Sequence, residues 1–443
     1  MISFKRTLFQ FFANILDFYS RDYILEENKF IRVRKMNFYD HINYILVQKG
    51  CTSYIEALRF MRLSTNGKFK SITSQAIGKQ RVYISPNLFK DMFESFLDMI
   101  YPKSQGMFKI NGFMVAACDG SIFDLPNFTI TREEFPPGGE NLLKYKRTGA
   151  RVSCFLDVSS KMILNIKIVE RSISEITLAK QQLMELKNHF DITKLITIYD
   201  RGYNSIELMI KTEDLGSKFL IRLRSNTFKN QVKKMKTNDE IISFNLTKNF
   251  LNRFEDEKLR EKAEKMGRFS LRIVKVELKN GTIETLATNL TKEEFSSKEL
   301  KELYAKRWTV ETGFDRLKNL IEIEEFSGNR RIIIEQDFYT HIFIYNLAII
   351  LKFESEEKIT RKPREKGVKI EYFCNFSRLL GNIYSYFYDI LTSTNRKKEM
   401  IIEFLIEQGS KELTQVNLSK NCQKERKTAY SDNDHPGNKK RTH

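Results

Sequence analysis

The chain has 443 residues, 41% hydrophobic and 12% aromatic, and its 75 Lys and Arg outnumber 56 Asp and Glu for a formal charge of +19. That apolar content excludes a mostly disordered chain, seven Pro and 19 Gly exclude a fibrous one, and the length exceeds one ordinary domain. No apolar run reaches the ~18 residues of a membrane span; 342–351 comes nearest and reads as buried helix. Cys51, Cys118, Cys154, Cys374 and Cys422 form no CxxC pair, so neither a zinc site nor a disulfide framework is suggested, and a reducing cytoplasm is the expected compartment. The charge favours a polyanion, nucleic acid first, although a Lys-, Ile-, Asn- and Phe-rich composition also follows from an AT-rich genome.

Lys5 and Arg6 before the apolar stretch 7–16 resemble the start of a signal peptide. Asn14 and Asp17 interrupt it and no small-residue cleavage site follows, so a first amphipathic helix is expected. Residues 1–106 read as helices. Thr73 or Ser74 suits the cap of a short helix through Arg81, and Ser85 with Pro86 suits the start of another. With Lys79 and Arg81 exposed to DNA, this pair reads equally as a helix-turn-helix or as an ordinary helical hairpin.

From 107 the pattern turns to strands. An apolar run, 113–118, ends at Asp119-Gly120-Ser121, and 151–157 and 162–169 form a hairpin around Val158-Ser159-Ser160-Lys161. A helix over 173–189 leads to a strand at 194–199 that ends at Asp200-Arg201-Gly202-Tyr203, then a helix at 204–214 and a strand at 218–223. This order predicts an α/β fold with a mixed sheet flanked by helices. The polar, Lys-rich stretch 224–283 interrupts it as an insertion, with a charged helix near 255–265 and strands at 269–278 and 282–288 about a Lys279-Asn280-Gly281 turn. One long helix is predicted over 297–321, then helical regions at 330–353 and 371–408 separated by a basic linker, 360–366, and a loose polar tail after Gly409. The expected units are a helical DNA-binding region 1–106, a catalytic domain 107–223 and 284–353, the insertion 224–283, a helical region 354–408 and a flexible basic tail 409–443.

Asp119 and Asp200 each follow a buried strand, where carboxylates distant in sequence can converge on a hard cation such as Mg²⁺; each also reads as the opening of a turn. On the predicted long helix, Tyr304, Arg307, Glu311 and Lys318 share a stripe within roughly 60°, beside the apolar stripe Leu303, Val310, Phe314, Leu317 and Ile321. A surface ion pair Arg307–Glu311 accounts for part of that stripe but not for Tyr304 or the two Asp. Trp308, the single Trp, is expected in the core. The five His show no ligand spacing, and Asp124, Asp315 and Asp337 read as surface or capping residues.

The spacing Tyr-x2-Arg-x3-Glu-x6-Lys at 304, 307, 311 and 318 resembles the YREK signature of bacterial insertion-sequence transposases of the IS-four group. Asp119-Gly120-Ser121 and Asp200-Arg201-Gly202-Tyr203 look like that family's first and second catalytic Asp. Further likeness lies at Asn289-Leu290, Glu325-Phe326-Ser327-Gly328 and Gln336-Asp337-Phe338-Tyr339; it is specific over about 110–350 and vaguer at the ends. The resemblance implies a ribonuclease-H-like DDE catalytic domain with a strand-rich insertion. Asp119, Asp200 and Glu311 would hold two Mg²⁺ ions, with Mn²⁺ able to substitute, and Tyr304, Arg307 and Lys318 would contact phosphates of the transposon end. Phe228 and Phe244 are candidates for an aromatic that some relatives insert at a displaced base. It implies cut-and-paste transposition of double-stranded DNA by a synaptic homodimer, nucleoid-associated and without membrane contact. Two other readings stand beside it: a catalytically silent DNA-binding regulator of transposition, and a ribonuclease-H-like nuclease that does not join strands.

Overall fold

The computed structural model describes residues 3–32, 34–67, 70–104, 106–137, 147–277, 281–359 and 370–417. The basic linker 360–366, tail residues 418–443, and Lys279 and Asn280 of the expected turn lie outside the described residues. Helices lead: α1 Lys5–Ala13, α2 Phe38–Leu46, α3 Ser53–Ser64, α4 Ser74–Arg81 and α5 Asn87–Lys103. An Asn37–Asp40 capping box starts α2, and Thr73 starts α4 by accepting from the Ala76 N–H, each satisfying amides that the first turn leaves open.

The sheet-forming part follows, with β1 Lys109–Ile110, β2 Phe113–Asp124, α6 Thr129–Glu134, β3 Gly149–Asp157, β4 Ile163–Glu170, α7 Glu175–Leu186, β5 Leu195–Tyr199, α8 Ile206–Asp214 and β6 Lys218–Arg222. Next come α9 Lys229–Lys234, β7 Asp239–Asn245, α10 Lys248–Leu251, α11 Glu257–Met266, β8 Arg268–Glu277 and β9 Ile283–Thr288. The chain continues through α12 Ser297–Ala305, α13 Trp308–Asn319, α14 Arg331–Glu357, β10 Ile370–Cys374, α15 Phe376–Thr392, α16 Asn395–Lys411 and β11 Leu413–Asn417.

The main sheet has the order β4-β3-β2-β5-β6-β9-β8-β7, with β1 paired to β2. β4, β3 and β2 form an antiparallel meander, and β5 and β6 add in parallel to β2 through crossover helices α7 and α8. A meander continued by two parallel strands is the ribonuclease-H-like arrangement. The stretch expected as a separate insertion does not stand apart: β9 pairs antiparallel with β6 at Leu220↔Thr288, and β8 and β7 extend the same sheet.

Alternation along each strand divides the core. Val115 and Ala117 of β2 and Ile196 and Ile198 of β5 join the larger cluster, with α1, α5, α13, α14, α15 and α16. Met114, Ala116, Cys118 and Tyr199 join the smaller one, with α7, α8 and α11. The 27-residue α14 is buried on nearly every side, which explains its long apolar run. Among the described residues no helix is long and apolar enough to cross a membrane.

Three local expectations are corrected and one open alternative is narrowed. The helix over 297–321 is two helices: Lys306 and Arg307 keep right-handed backbone, but their N–H groups bond Leu303 and Tyr304, three residues back, which kinks the axis. Residues 409–417 are ordered, because α16 runs to Lys411 and β11 pairs with β10. Of the two readings left open for the α4–α5 pair, the ordinary helical hairpin fits better. The second helix buries Leu88, Phe89, Met92, Phe93, Phe96 and Leu97, and Asp91, Glu94 and Asp98 occupy its more open side, where they repel phosphate. Lys79 is exposed, but Arg81 is 2% exposed, because its guanidinium is bonded to Gln336, Ser327 and Asp337.

Candidate active site

Asp119 does not follow a strand; it sits within β2, opposite Cys154 of β3. Asp200 directly follows β5 and accepts from the Gly202 N–H at 2.6 Å, which turns the chain out of the sheet. The parallel register Cys118↔Tyr199, carried one step on, sets Asp119 beside Asp200 at the ~4.8 Å spacing of neighbouring strands. By strand alternation both side chains emerge on the face that α13 covers.

α13 reaches that face through Gly313, whose missing side chain admits Leu156 of β3, and through Phe314, whose ring lies 6.0 Å from that of Phe123 on β2. This contact carries Glu311, in the first turn of α13, over the strand that bears Asp119. Arg307 joins them: Nη2 donates to Glu311 Oε1 at 2.8 Å, and Nη1 lies 3.9 Å from Asp119 Oδ2. Burial pushes the Asp119 carboxyl up to about 6. Asp200 and Glu311 add to that rise, while the Gly120 N–H and Arg307 oppose it. Among the described residues no three His, Cys, Asp or Glu are gathered closely enough to hold a metal ion.

The remaining residues singled out by sequence fall as follows. Tyr304, on α12, is half-buried, and burial pushes its hydroxyl up to about 12 against the pull of Arg307 and Arg222. Lys318 is partly buried. Its ammonium donates to the Ile122 carbonyl at 2.6 Å, lies 3.2 Å from Glu324 and sits 4.7 Å from the Phe123 ring centre. Trp308 is 56% exposed rather than in the core, with the Arg307 guanidinium 4.9 Å from its ring centre, because the kink turns it outward at the start of α13. Phe228 and Phe244 are buried against each other at 4.3 Å and line a cavity of about 410 Å³ with Phe250, Gln231, Asn245 and Arg268. Asp337 is buried under Arg81 instead of lying at the surface.

Two groups near the site were not singled out from sequence. Glu175, which opens α7, lies under Gly120: a Cβ there would come 2.5 Å from Glu175 Oε1, so the Asp-Gly pair lets a helix end approach β2 from behind its carboxylate. Arg151 of β3 holds that carboxylate at 2.5 Å. Arg222, at the end of β6, pairs with Glu284 at 2.8 Å. Its signal was its place at the same sheet end as both Asp, but an Arg after a strand is too common to stand out.

The family model for the transposase DDE domain matches residues 115–347, a span that contains Asp119, Asp200 and Glu311. Among solved structures, the chain is similar to the one titled "Cryo-EM structure of piggyBac transposase synaptic complex with hairpin DNA". The two are 12% identical, with 90% of this chain and 85% of that chain covered and a TM-score of 0.42. No curated protein matches the chain.

Proposed function

The chain belongs to the transposase DDE-domain family, and from that premise we propose that it is a DNA transposase of the IS-four group that cuts its element from DNA and joins it elsewhere. The observation that carries this reading is the placement of Asp119 on β2 beside Asp200, which follows the adjoining parallel strand β5, on the face covered by the helix that bears Glu311. It would bind the terminal inverted repeats of its own element as a dimer, release the 3′ ends and transfer them to target DNA.

The three carboxylates are the oxygen donors a divalent metal prefers, although they are not gathered closely enough here to hold one. Crowding by Asp200 and Glu311 adds to the raised proton affinity of Asp119, and a cation relieves that repulsion. Asp119, Asp200 and Glu311 would hold Mg²⁺, or Mn²⁺ in its place; Glu311 first has to part from Arg307. A bound pair of such ions supplies activation of water or of a DNA 3′-OH and stabilisation of the leaving oxygen. The chain's own groups orient the DNA. Arg307, released from Glu311, presents a two-pronged donor to a phosphate, and the Tyr304 hydroxyl, kept protonated by burial, donates beside it. Lys318 keeps a donor to spare after Ile122 and Glu324 and neutralises charge at the C-terminal end of β2.

Glu311→Gln tests this. Metal-dependent cleavage of DNA that carries the inverted repeats flanking the gene is expected to vanish, with end binding in a mobility shift retained. Undiminished cleavage would overturn the assignment. Joining of pre-cut ends to a plasmid by the parent chain separates a transposase from a nuclease that only cuts.

A further inference from the structure

Beyond the carboxylate site, a second cationic group lies on the other flank of α13. Lys306 is exposed at the kink next to Arg307, and Arg316 is half-buried on α13. Arg316 follows Glu311 by five residues, so it is turned about 140° away from the carboxylates. Its guanidinium sits 5.3 Å from the Phe376 ring centre, and that ring lies 6.1 Å from Tyr345. The Tyr345 hydroxyl in turn donates to the Lys161 carbonyl at 3.1 Å, in the β3–β4 turn. Two buried aromatic side chains thus lie between the Lys161 backbone and the Arg316 guanidinium.

Among the described residues none of the three has a carboxylate within ion-pair distance, although Arg307, Arg222 and Lys318 nearby all do. Lys161 donates to the Val158 carbonyl. Burial, and then Lys306 and Arg316, lower its affinity for a proton, as expected of cations crowded together. Asp157, which attracts Lys161 from below, is fully buried and bonded to Tyr101, Ser159 and Ser160. The group thus offers positive charge to anions from outside the chain.

We propose that Lys161, Lys306 and Arg316 form a phosphate-contacting track that holds the target duplex during strand transfer. This deepens the transposase reading and rests on it. Ten residues of nearly continuous helix separate Lys306 from Arg316, about 15 Å, long enough to reach more than one phosphate of a strand. The track begins beside Arg307, the residue that contacts Glu311 and approaches Asp119. The transposon end, by contrast, is assigned to Tyr304, Arg307 and Lys318, on the carboxylate side. Contacts to phosphate alone hold a duplex whatever its sequence.

The test combines Lys161→Gln, Lys306→Gln and Arg316→Gln in the full chain, with Lys306→Glu alone as a variant that leaves every buried contact in place. Thermal melting checks the fold. Cleavage at the inverted repeats is expected to stay at the parent level, while joining of pre-cut ends to a plasmid falls at least tenfold. For a 40-base-pair duplex of arbitrary sequence, the dependence of log affinity on log salt is expected to flatten by about 2 to 3 in the triple variant. Unchanged joining with an unchanged salt slope overturns the track. Equal loss of cleavage and joining also overturns it, by assigning these cations to the transposon end. A parent chain that joins no ends defeats the transposase reading itself, and the salt slope on the plain duplex still decides whether the cations bind DNA.

Discussion

Arg81 carries one of the chain's many positive charges into a buried pocket, where Asp337 meets it at 2.7 Å and Gln336 and Ser327 take up its other donors. Gln336 also donates to the Arg81 and Ile84 carbonyls, so the pair bolts α4 to α14. Removing one member of such a pair leaves a charge buried alone, which costs about 3–5 kcal/mol. Arg81→Ala is therefore expected to lower unfolding free energy by that amount in chemical denaturation, with Asp337→Asn lowering it too, while the folded fraction binds DNA as before. A stable Arg81→Ala chain with weakened DNA affinity would restore Arg81 to the surface role that its neighbours in sequence suggest. That surface reading was reasonable from the residues around it. The partner that buries Arg81 lies 256 positions away, and a local window cannot contain it. Asp119 and Asp200 were legible for the converse reason: each follows an apolar run in the same local window, and only the extension of β2 past Asp119 was missed.

Helix α13 shows what spacing can and cannot tell at the scale of an element. The stripe through Arg307, Glu311 and Lys318 follows from helical period alone, and the structure places Arg307 and Lys318 against β2, with Glu311 bonded to Arg307. The kink at Lys306 and Arg307 was not legible, because neither residue is Gly or Pro and both keep helical backbone. It moves Tyr304 onto a separate helix and turns Trp308 out to solvent. Gly313 fixes how closely α13 lies on β3, since any Cβ there would strike the buried Leu156 side chain. Gly313→Ala is expected to cost about 1–3 kcal/mol of overpacking, partly offset by alanine's better helix propensity, and to lift Glu311 away from Asp119. Cleavage would then fall more than end binding. Adding Leu156→Val should recover part of the cleavage by opening the space. No recovery in the double variant would mean that α13 is positioned by something other than this contact.

At the scale of the molecule, the charge of +19 surrounds a core that does not respect the expected domain edges. One hydrophobic cluster runs from Phe4, Leu8, Phe11 and Phe12 of the N-terminal helices, through Val115 and Ala117 of the sheet and Phe343 of α14, to Phe387 and Leu405 near the C-terminal end. The rings of Phe11, Phe96, Phe343 and Phe387 touch in sequence, so α1, α5, α14 and α15 close around one another. The N–H of Phe4 and the Ser3 hydroxyl are both held by the buried Glu354 carboxylate. A fragment of residues 107–353, the core of the catalytic region as composition divides it, would leave α14 with its outer face bare. Each large side chain uncovered there costs about 1.5–3 kcal/mol, against a net stability of only about 5–15 kcal/mol for a folded unit. The fragment is therefore expected to be insoluble or to lack near-ultraviolet circular dichroism, whereas residues 3–417 unfold with tertiary signal intact up to the transition. A soluble fragment with a sharp thermal transition would show instead that the helical regions are attachments, and that the carboxylate face of the sheet is stable without them.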